Sequence, residues 1–230
     1  MYTLENFYAD DPGFVKSMKN MLKNYHKYVP IVLRGESGTG KTHLMKAFEK
    51  YLHETYGLTN SLYNSTEEFT NGFVDALTKK KITEFKLKYK NLDALFIDDF
   101  EHLRGKCGVQ DELFNIFSEL IDRNAFICVT ITTPCDFNIN FSKKLITKIL
   151  NGVQIDVPIP GFEAKRQKLT EVFAGFNCFI NGNLIDFLVG LNLSLNELIG
   201  LSKKIIVMKE LEGKGCVNLK IEDIKSMINL

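Results

Sequence analysis

The stretch Gly35-Glu36-Ser37-Gly38-Thr39-Gly40-Lys41-Thr42 constrains this chain more than any other. It fits G-x-x-x-x-G-K-[ST] at every fixed position, follows the short apolar run Ile31-Val32-Leu33 and opens a stretch of helical character. The glycines let the backbone curl until its N–H groups face one point, and the helix N-terminus adds its positive dipole end. Such a loop holds phosphates. Lys41 is placed to reach β- and γ-phosphates, and the Thr42 hydroxyl to ligate Mg²⁺.

A second motif follows downstream. Leu95-Phe96-Ile97-Asp98-Asp99 is an apolar run that stops at two carboxylates. It sets acid groups at the C-terminal edge of a strand, where ligands bind in parallel sheets. Asp98 is expected to orient Mg²⁺ through its water shell, and Asp99 to polarise an attacking water. Together the two motifs predict ATP or GTP with Mg²⁺.

The rest of the chain supplies the matching frame. Ser61-Leu62-Tyr63, the β-branched run Ile127 to Ile131 and Val153 to Val157 read as further strands. Helical character runs over 66–80 and again where Leu113, Ile116, Phe117 and Leu120 fall at i, i+3, i+4 and i+7. Alternating strands and helices predict a three-layer α/β domain with a parallel sheet. Pro158-Ile159-Pro160-Gly161 breaks the pattern. Beyond it only helices are expected, over 163–175, 182–190, 195–212 and 220–229. The expected organisation is a nucleotide-binding domain over 1–160 and a small helical domain over 161–230.

Composition narrows the partners. With 29 basic and 28 acidic residues the formal net charge is +1, which excludes a strongly basic nucleic-acid coat but not a local patch. Only four of the basic residues are arginine: Arg34, Arg104, Arg123 and Arg166. Arginine and lysine are not equivalent as phosphate forks. Cys107, Cys128, Cys135, Cys178 and Cys216 lack metal or disulfide-framework spacing and are expected to be free thiols. The N-terminus has no signal-peptide pattern, and no apolar run approaches the ~18 residues of a membrane span, so a cytoplasmic protein with no membrane association is expected. His26, His43, His53 and His102 show no metal spacing, although His43 and His102 sit beside the nucleotide motifs. Lys79-Lys80-Lys81 with Lys86, Lys88 and Lys90 form either a solvated helix face or a basic stripe that tracks a nucleic-acid backbone.

Five segments carry a family resemblance. Tyr2-Thr3-Leu4-Glu5-Asn6-Phe7, Gly40-Lys41-Thr42-His43-Leu44, Glu67-Glu68-Phe69-Thr70-Asn71, Glu84-Phe85-Lys86-Leu87-Lys88-Tyr89 and Leu95-Phe96-Ile97-Asp98-Asp99-Phe100 resemble, in order, the AAA+ domain of the bacterial replication-initiator family DnaA. The loop Ser37-Gly38-Thr39-Gly40 is closer to the related helicase loaders of the DnaC type. The resemblance covers residues 2 to about 125. It implies an ATP- or ADP-binding P-loop NTPase of AAA+ fold with an all-helical lid.

The resemblance also implies roles. Asn6 and Phe7 lie near the adenine, with His43 following Thr42 at the same site. Thr66 to Tyr89 matches a helical insertion that lines a channel for single-stranded DNA, where Val74 falls on an apolar contact position and Lys106 on a basic one. The neighbouring basic and hydroxyl-bearing family positions are here Gly108 and Val109. Lys148 occupies the place of an arginine finger directed at the neighbouring subunit's ATP, and Asn196 that of the lid arginine. The polar residue that reads the phosphate is Thr130 or Thr132, with Thr132 preferred. The family's C-terminal helix-turn-helix domain has no match in this sequence.

The resemblance therefore implies a part in bacterial replication initiation, or its regulation, through ATP-dependent homo-oligomers. Hydrolysis is expected to be slow, since both arginines are replaced. The alternative is an adaptor or helicase-loader-like protein that binds nucleotide and an initiator or replicative helicase without appreciable catalysis.

Overall fold

A computed structural model describes residues 2–178, 180–211, 221 and 224. The described chain divides into two compact units. The first comprises the residues to Phe7 together with Gly13–Pro158; the second comprises Tyr8–Pro12 and the described residues from Ile159 onward.

The first unit is built on five parallel strands: β1 (Ile31–Gly35), β2 (Ser61–Ser65), β3 (Ala94–Asp98), β4 (Phe126–Thr132) and β5 (Val153–Asp156). Their order is β2-β3-β4-β1-β5. The central strands are covered on both faces, which is why they read as continuous apolar runs rather than alternating ones; every residue of β3 is buried. The covering helices are α1 (Pro12–Leu22), α2 (Lys41–Tyr56), α3 (Thr66–Thr78), α4 (Ile82–Lys90), α5 (Cys107–Asp122) and α6 (Lys143–Leu150). This is the three-layer α/β arrangement expected from the alternating pattern.

Local chemistry sets the boundaries. Ser65 starts α3 through a reciprocal capping box with Glu68, satisfying two amide donors at the helix start. The helix expected over 66–80 is α3, which ends at Thr78; Lys80 at φ 58° turns the chain before a separate helix, α4. These pack through Phe69, Phe73, Phe85 and Tyr89, with ring centroids 4.9 to 5.7 Å apart. The sequence reading did not anticipate α1 and α6.

The second unit contains α7 (Phe162–Gly175), α8 (Gly182–Val189) and α9 (Leu195–Leu211), packed around Leu169, Phe173, Leu188, Leu198 and Ile205. The Asp10 carboxylate accepts from the Gly161 and Ala164 amides at 2.6 and 3.2 Å, an acid at a helix N-terminus. The expected 220–229 helix and Cys216 lie outside the described residues, apart from positions 221 and 224. Cys107, Cys128 and Cys135 are free thiols. Cys178 is disulfide-bonded, which corrects the expectation of free thiols there: pairing depends on proximity in space, and spacing along the chain does not reveal it. Among the described residues no helix is long and apolar enough to cross a membrane.

Candidate functional site

The phosphate loop joins β1 to α2 at the C-terminal edge of the sheet. Gly35 is needed there because a Cβ would stand 2.8 Å from Thr39 Oγ1 and 2.9 Å from the Val157 carbonyl. Gly38 and Gly40 have φ of 83° and 93°, a left-handed backbone that side chains tolerate poorly. Thr39 is buried, and its hydroxyl donates to the Glu36 carbonyl at 3.0 Å. Glu36 and Ser37 are exposed. Lys41 is only 7% exposed and donates to the Gly35 and Glu36 carbonyls at 2.9 and 2.8 Å. Burial lowers the pKa of its ammonium, against the fields of Glu101, Asp99 and Asp98.

Asp98 ends β3, 3% exposed. Tyr63 Oη donates to one of its oxygens at 2.7 Å, and the Thr130 hydroxyl donates to the other. Thr66 Oγ1 donates to its backbone carbonyl at 3.0 Å. Asp99 follows in left-handed geometry, φ 57° and ψ 49°, which is costly for a residue with a Cβ. Burial, followed by the Asp98 and Glu101 charges, raises its pKa. Thr130 bridges the pair, since its oxygen also accepts from the Asp99 amide at 2.9 Å.

Tyr63 and Glu101 escaped sequence reasoning, and Thr130 was weighed there only as a phosphate reader. Tyr63 and Thr130 hold Asp98 although neither belongs to a motif. Glu101 has a carboxylate oxygen, Oε2, that is buried without a hydrogen-bond partner, and its charge acts on both Lys41 and Asp99. A count of acids after the strand was the one available signal for Glu101.

The donor set suits a magnesium ion. A threonine hydroxyl and a buried carboxylate are hard oxygen donors, and each Asp98 oxygen keeps a lone pair after accepting its hydroxyl. Among the described residues no group of three or more His, Cys, Asp or Glu side chains could hold a metal ion. One hydroxyl and one carboxylate are few protein donors, which would suit an ion that keeps most of its waters.

The N-terminal segment packs onto the start of α2. Asn6 Oδ1 lies 2.9 Å from His43 Nε2 and accepts from the Thr3 amide at 2.9 Å; His43 Nε2 also lies 3.2 Å from the Thr3 carbonyl. The Phe7 ring is buried, edge-on to His43 at 5.6 Å. It approaches Gly40 so closely that a Cβ there would sit 3.0 Å from Phe7. Asn6, Phe7, His43 and the phosphate loop are thus brought together.

Thr132 is the last residue of β4 and pairs in register with Gly35, the first residue of the loop. Thr130 is fully buried, with its hydroxyl committed to the two aspartates. Lys148 lies on α6 with its ammonium 5.2 Å from the centroid of the Phe114 ring. It lines a cavity of about 370 Å³ together with Lys143, Lys144, Thr147 and Asn151. Asn196 is exposed in the first turn of α9, in the second unit.

Val74 on α3 is 52% exposed. Lys106 approaches Thr70 Oγ1 at 3.5 Å and lines a cavity of about 810 Å³ with Asn71, His102 and Arg104. Of the insertion's lysines, Lys79, Lys81, Lys86 and Lys90 pair with Asp75, Glu84, Glu112 and Glu119 at 2.9 to 3.5 Å. That pairing dilutes any continuous basic stripe, and at the cavity Lys106 and Arg104 are matched by Glu67 and Glu101.

Residues 2–156 match the bacterial DnaA ATPase domain. The chain is 34% identical over 189 residues to the chromosomal replication initiator protein DnaA of Treponema denticola, an alignment covering 81% of this chain and 40% of that protein. The chain spans about half or less of the length of the curated relatives it matches. Its fold superposes on domain III of DnaA from Thermotoga maritima with a TM-score of 0.89 and 27% identity, covering 99% of this chain and 95% of that one. A DnaA bound to AMPPCP and single-stranded DNA gives a TM-score of 0.76 at 28% identity, covering 92% of this chain and 66% of that one. By its matched length and its fold, this chain belongs to the bacterial DnaA ATPase domain family.

Proposed function

We propose that the chain binds ATP or ADP with Mg²⁺ and acts in, or regulates, DNA replication initiation through nucleotide-dependent assembly, with slow hydrolysis. The observation that carries this reading is the convergence of the buried Lys41 and Asp98 with the half-buried Asp99, whose charges act on the Lys41 ammonium, beside the loop Gly35–Thr42. In this reading the amides of Gly35 to Thr42 receive the phosphates, and the Lys41 ammonium exchanges its two loop carbonyls for phosphate oxygens. Thr42 and Asp98 hold the magnesium ion, which would neutralise phosphate charge when bound. Asp99 accepts the proton of the attacking water, and its raised pKa suits that role. Thr132 reads the terminal phosphate from beside Gly35. Asn6, Phe7 and His43 form the wall for the base, and Asn196 is the lid's polar contribution.

Lys148, with Lys143 and Lys144 beside it, is the group offered to a neighbouring copy. It supplies charge without the planar fork, and a trans arginine is worth ~10³–10⁵ in rate in related phosphoryl transfer. Binding and assembly are retained while turnover is low. Val74, Lys106 and the cavity beside them form the surface for single-stranded DNA, the ligand carried by the homologous initiator. Replication proteins, an initiator or a replicative helicase, are the proposed protein partners.

The test is steady-state ATP hydrolysis over a wide range of protein concentration, with and without single-stranded DNA, with ATP binding measured on the same sample. Tight binding with a flat, near-background rate is expected. Turnover per subunit that climbs with concentration would overturn the slow-hydrolysis part and make Lys148 a working finger. The adaptor reading gains its support from Lys148 stacking on Phe114 of its own chain. It predicts a monomer in ATP that shifts only when an initiator or helicase is added.

A further inference from the structure

Asp98 has to present its carboxylate in one orientation, because magnesium tolerates little departure from octahedral geometry and gives up its waters reluctantly. What fixes that orientation lies on the neighbouring strands. In the register of β2 and β3, Tyr63 faces Phe96, two residues before Asp98. Tyr63 and Asp98 therefore share a face of the sheet as diagonal neighbours, about 7–8 Å apart at the backbone, a gap that only a long side chain closes. The tyrosine does so, with its hydroxyl 2.7 Å from one Asp98 oxygen, while Thr130 reaches the other from β4. The carboxylate is gripped across three strands, at one oxygen from each side.

Tyr63 is itself held. The Lys46 ammonium, from α2, lies 4.7 Å from the Tyr63 ring centroid and 5.1 Å from that of Tyr2. A cation between two rings favours face-on placement of each. Residue 2 begins the segment that carries Asn6 and Phe7, so one lysine ties the tyrosine on Asp98 to the segment packed beside the phosphate loop.

We propose that Tyr63 is a positioning residue whose hydroxyl, opposite that of Thr130, holds the Asp98 carboxylate so that its remaining lone pairs meet the magnesium water shell. The magnesium dependence of nucleotide binding is then set by Tyr63. This rests on the nucleotide–magnesium reading above. Hydrogen-bond partners of the residues that hold a metal are typically worth about 10–100-fold in metal affinity.

The experiment titrates Mg²⁺ into the protein with a fluorescent N-methylanthraniloyl-ATP, and separately measures binding of the same probe in EDTA. Tyr63→Phe is expected to raise the magnesium midpoint about tenfold or more and to leave the EDTA affinity unchanged. Tyr89→Phe is the matched control. It removes a tyrosine hydroxyl bond of the same kind, 3.0 Å to Asn64 on the same strand, and its midpoint should stay at the wild-type value. Thr130→Val should shift the midpoint in the same direction, and Thr130→Ser should restore it. Lys46→Met keeps both hydroxyls and tests the claim without deleting a buried partner, with a shift of about threefold expected, smaller than for loss of a direct partner of Asp98. A wild-type midpoint in Tyr63→Phe, with magnesium dependence intact in the parent, overturns the proposal alone. Equal shifts in Tyr63→Phe and Tyr89→Phe also overturn it, by showing a general effect of the sheet edge. A parent that binds the probe without any magnesium dependence overturns the reading of the site and this inference with it.

Discussion

At the C-terminal edge of the sheet, the groups that would act on a nucleotide within one chain are buried and already engaged. Lys41 bonds two loop carbonyls, Asp98 takes two hydroxyls, and Thr130 bridges the aspartates. The groups proposed to act on something outside the chain are built differently. Val74 is half exposed, the Lys106 ammonium reaches Thr70 at the limit of a hydrogen bond, and Lys148 rests on an aromatic ring. A site that works alone can be preorganised by its own neighbours, because burial strengthens each bond and punishes each unpaired group. A group meant for a partner must stay accessible, so its own chain leaves it with weak, exchangeable contacts.

Substitutions can break or sharpen this contrast. The largest effect belongs to Lys41→Ala, which should weaken ATP binding about 100-fold, the upper range for a charge-assisted hydrogen bond of ~3 kcal/mol. Isothermal titration checks this, and a loss under threefold would mean that Lys41 does not reach phosphate. Lys148→Arg comes next and works from the other side. It should leave ATP affinity and melting temperature unchanged while making turnover rise with protein concentration, by ~10-fold or more if the missing fork is what limits the rate. A flat rate in that variant would place the limitation elsewhere.

Gly40→Ala should cost about 1–2 kcal/mol in stability, since a Cβ would meet Phe7 on a left-handed backbone. Denaturant unfolding reads that cost, and an unchanged midpoint would show that the Phe7 packing yields freely. The smallest effect is a gain. Asp99 has a pKa raised by burial, Asp98 and Glu101, so its folded-state value exceeds the unfolded one. Its contribution is then lost as pH rises through the folded value, and the neutral-pH fold carries an unfavourable charge. Asp99→Asn should raise stability by up to ~1 kcal/mol at pH 7 while abolishing any hydrolysis. The gain should shrink as the pH falls toward the carboxylate range; a gain that grows on acidification would reverse the assignment.

The same contrast governs what could be read from the sequence. The loop, the aspartate pair and the central strands were legible because their chemistry is local: glycine at positive φ, an apolar run buried on both faces, and acids at a strand end. Helix α6 was missed because its eight residues, Lys143–Leu150, give barely two turns of periodicity. Helix α1 had a usable signal in Pro12 at its first position, which went unread. The lysines over 79–90 were open to two readings in one dimension, a solvated face or a basic stripe, and Lys86 and Lys90 find Glu112 and Glu119 on α5, partners that sequence distance conceals.

By itself, the sequence determined the α/β frame, the phosphate loop, the aspartates at the strand edge and the family. Spacing along the chain is enough for each, since they depend on residues within one turn or one strand. Tertiary structure alone decided that Tyr63 and Thr130 grip Asp98, that Phe7 closes on Gly40 and that Lys46 lies between Tyr2 and Tyr63. Those contacts depend on strand order and register, which bring together residues tens of positions apart. Hydrophobic patterning constrains the register of one strand, but which side chains then meet depends on which strands become neighbours, and no single segment shows that.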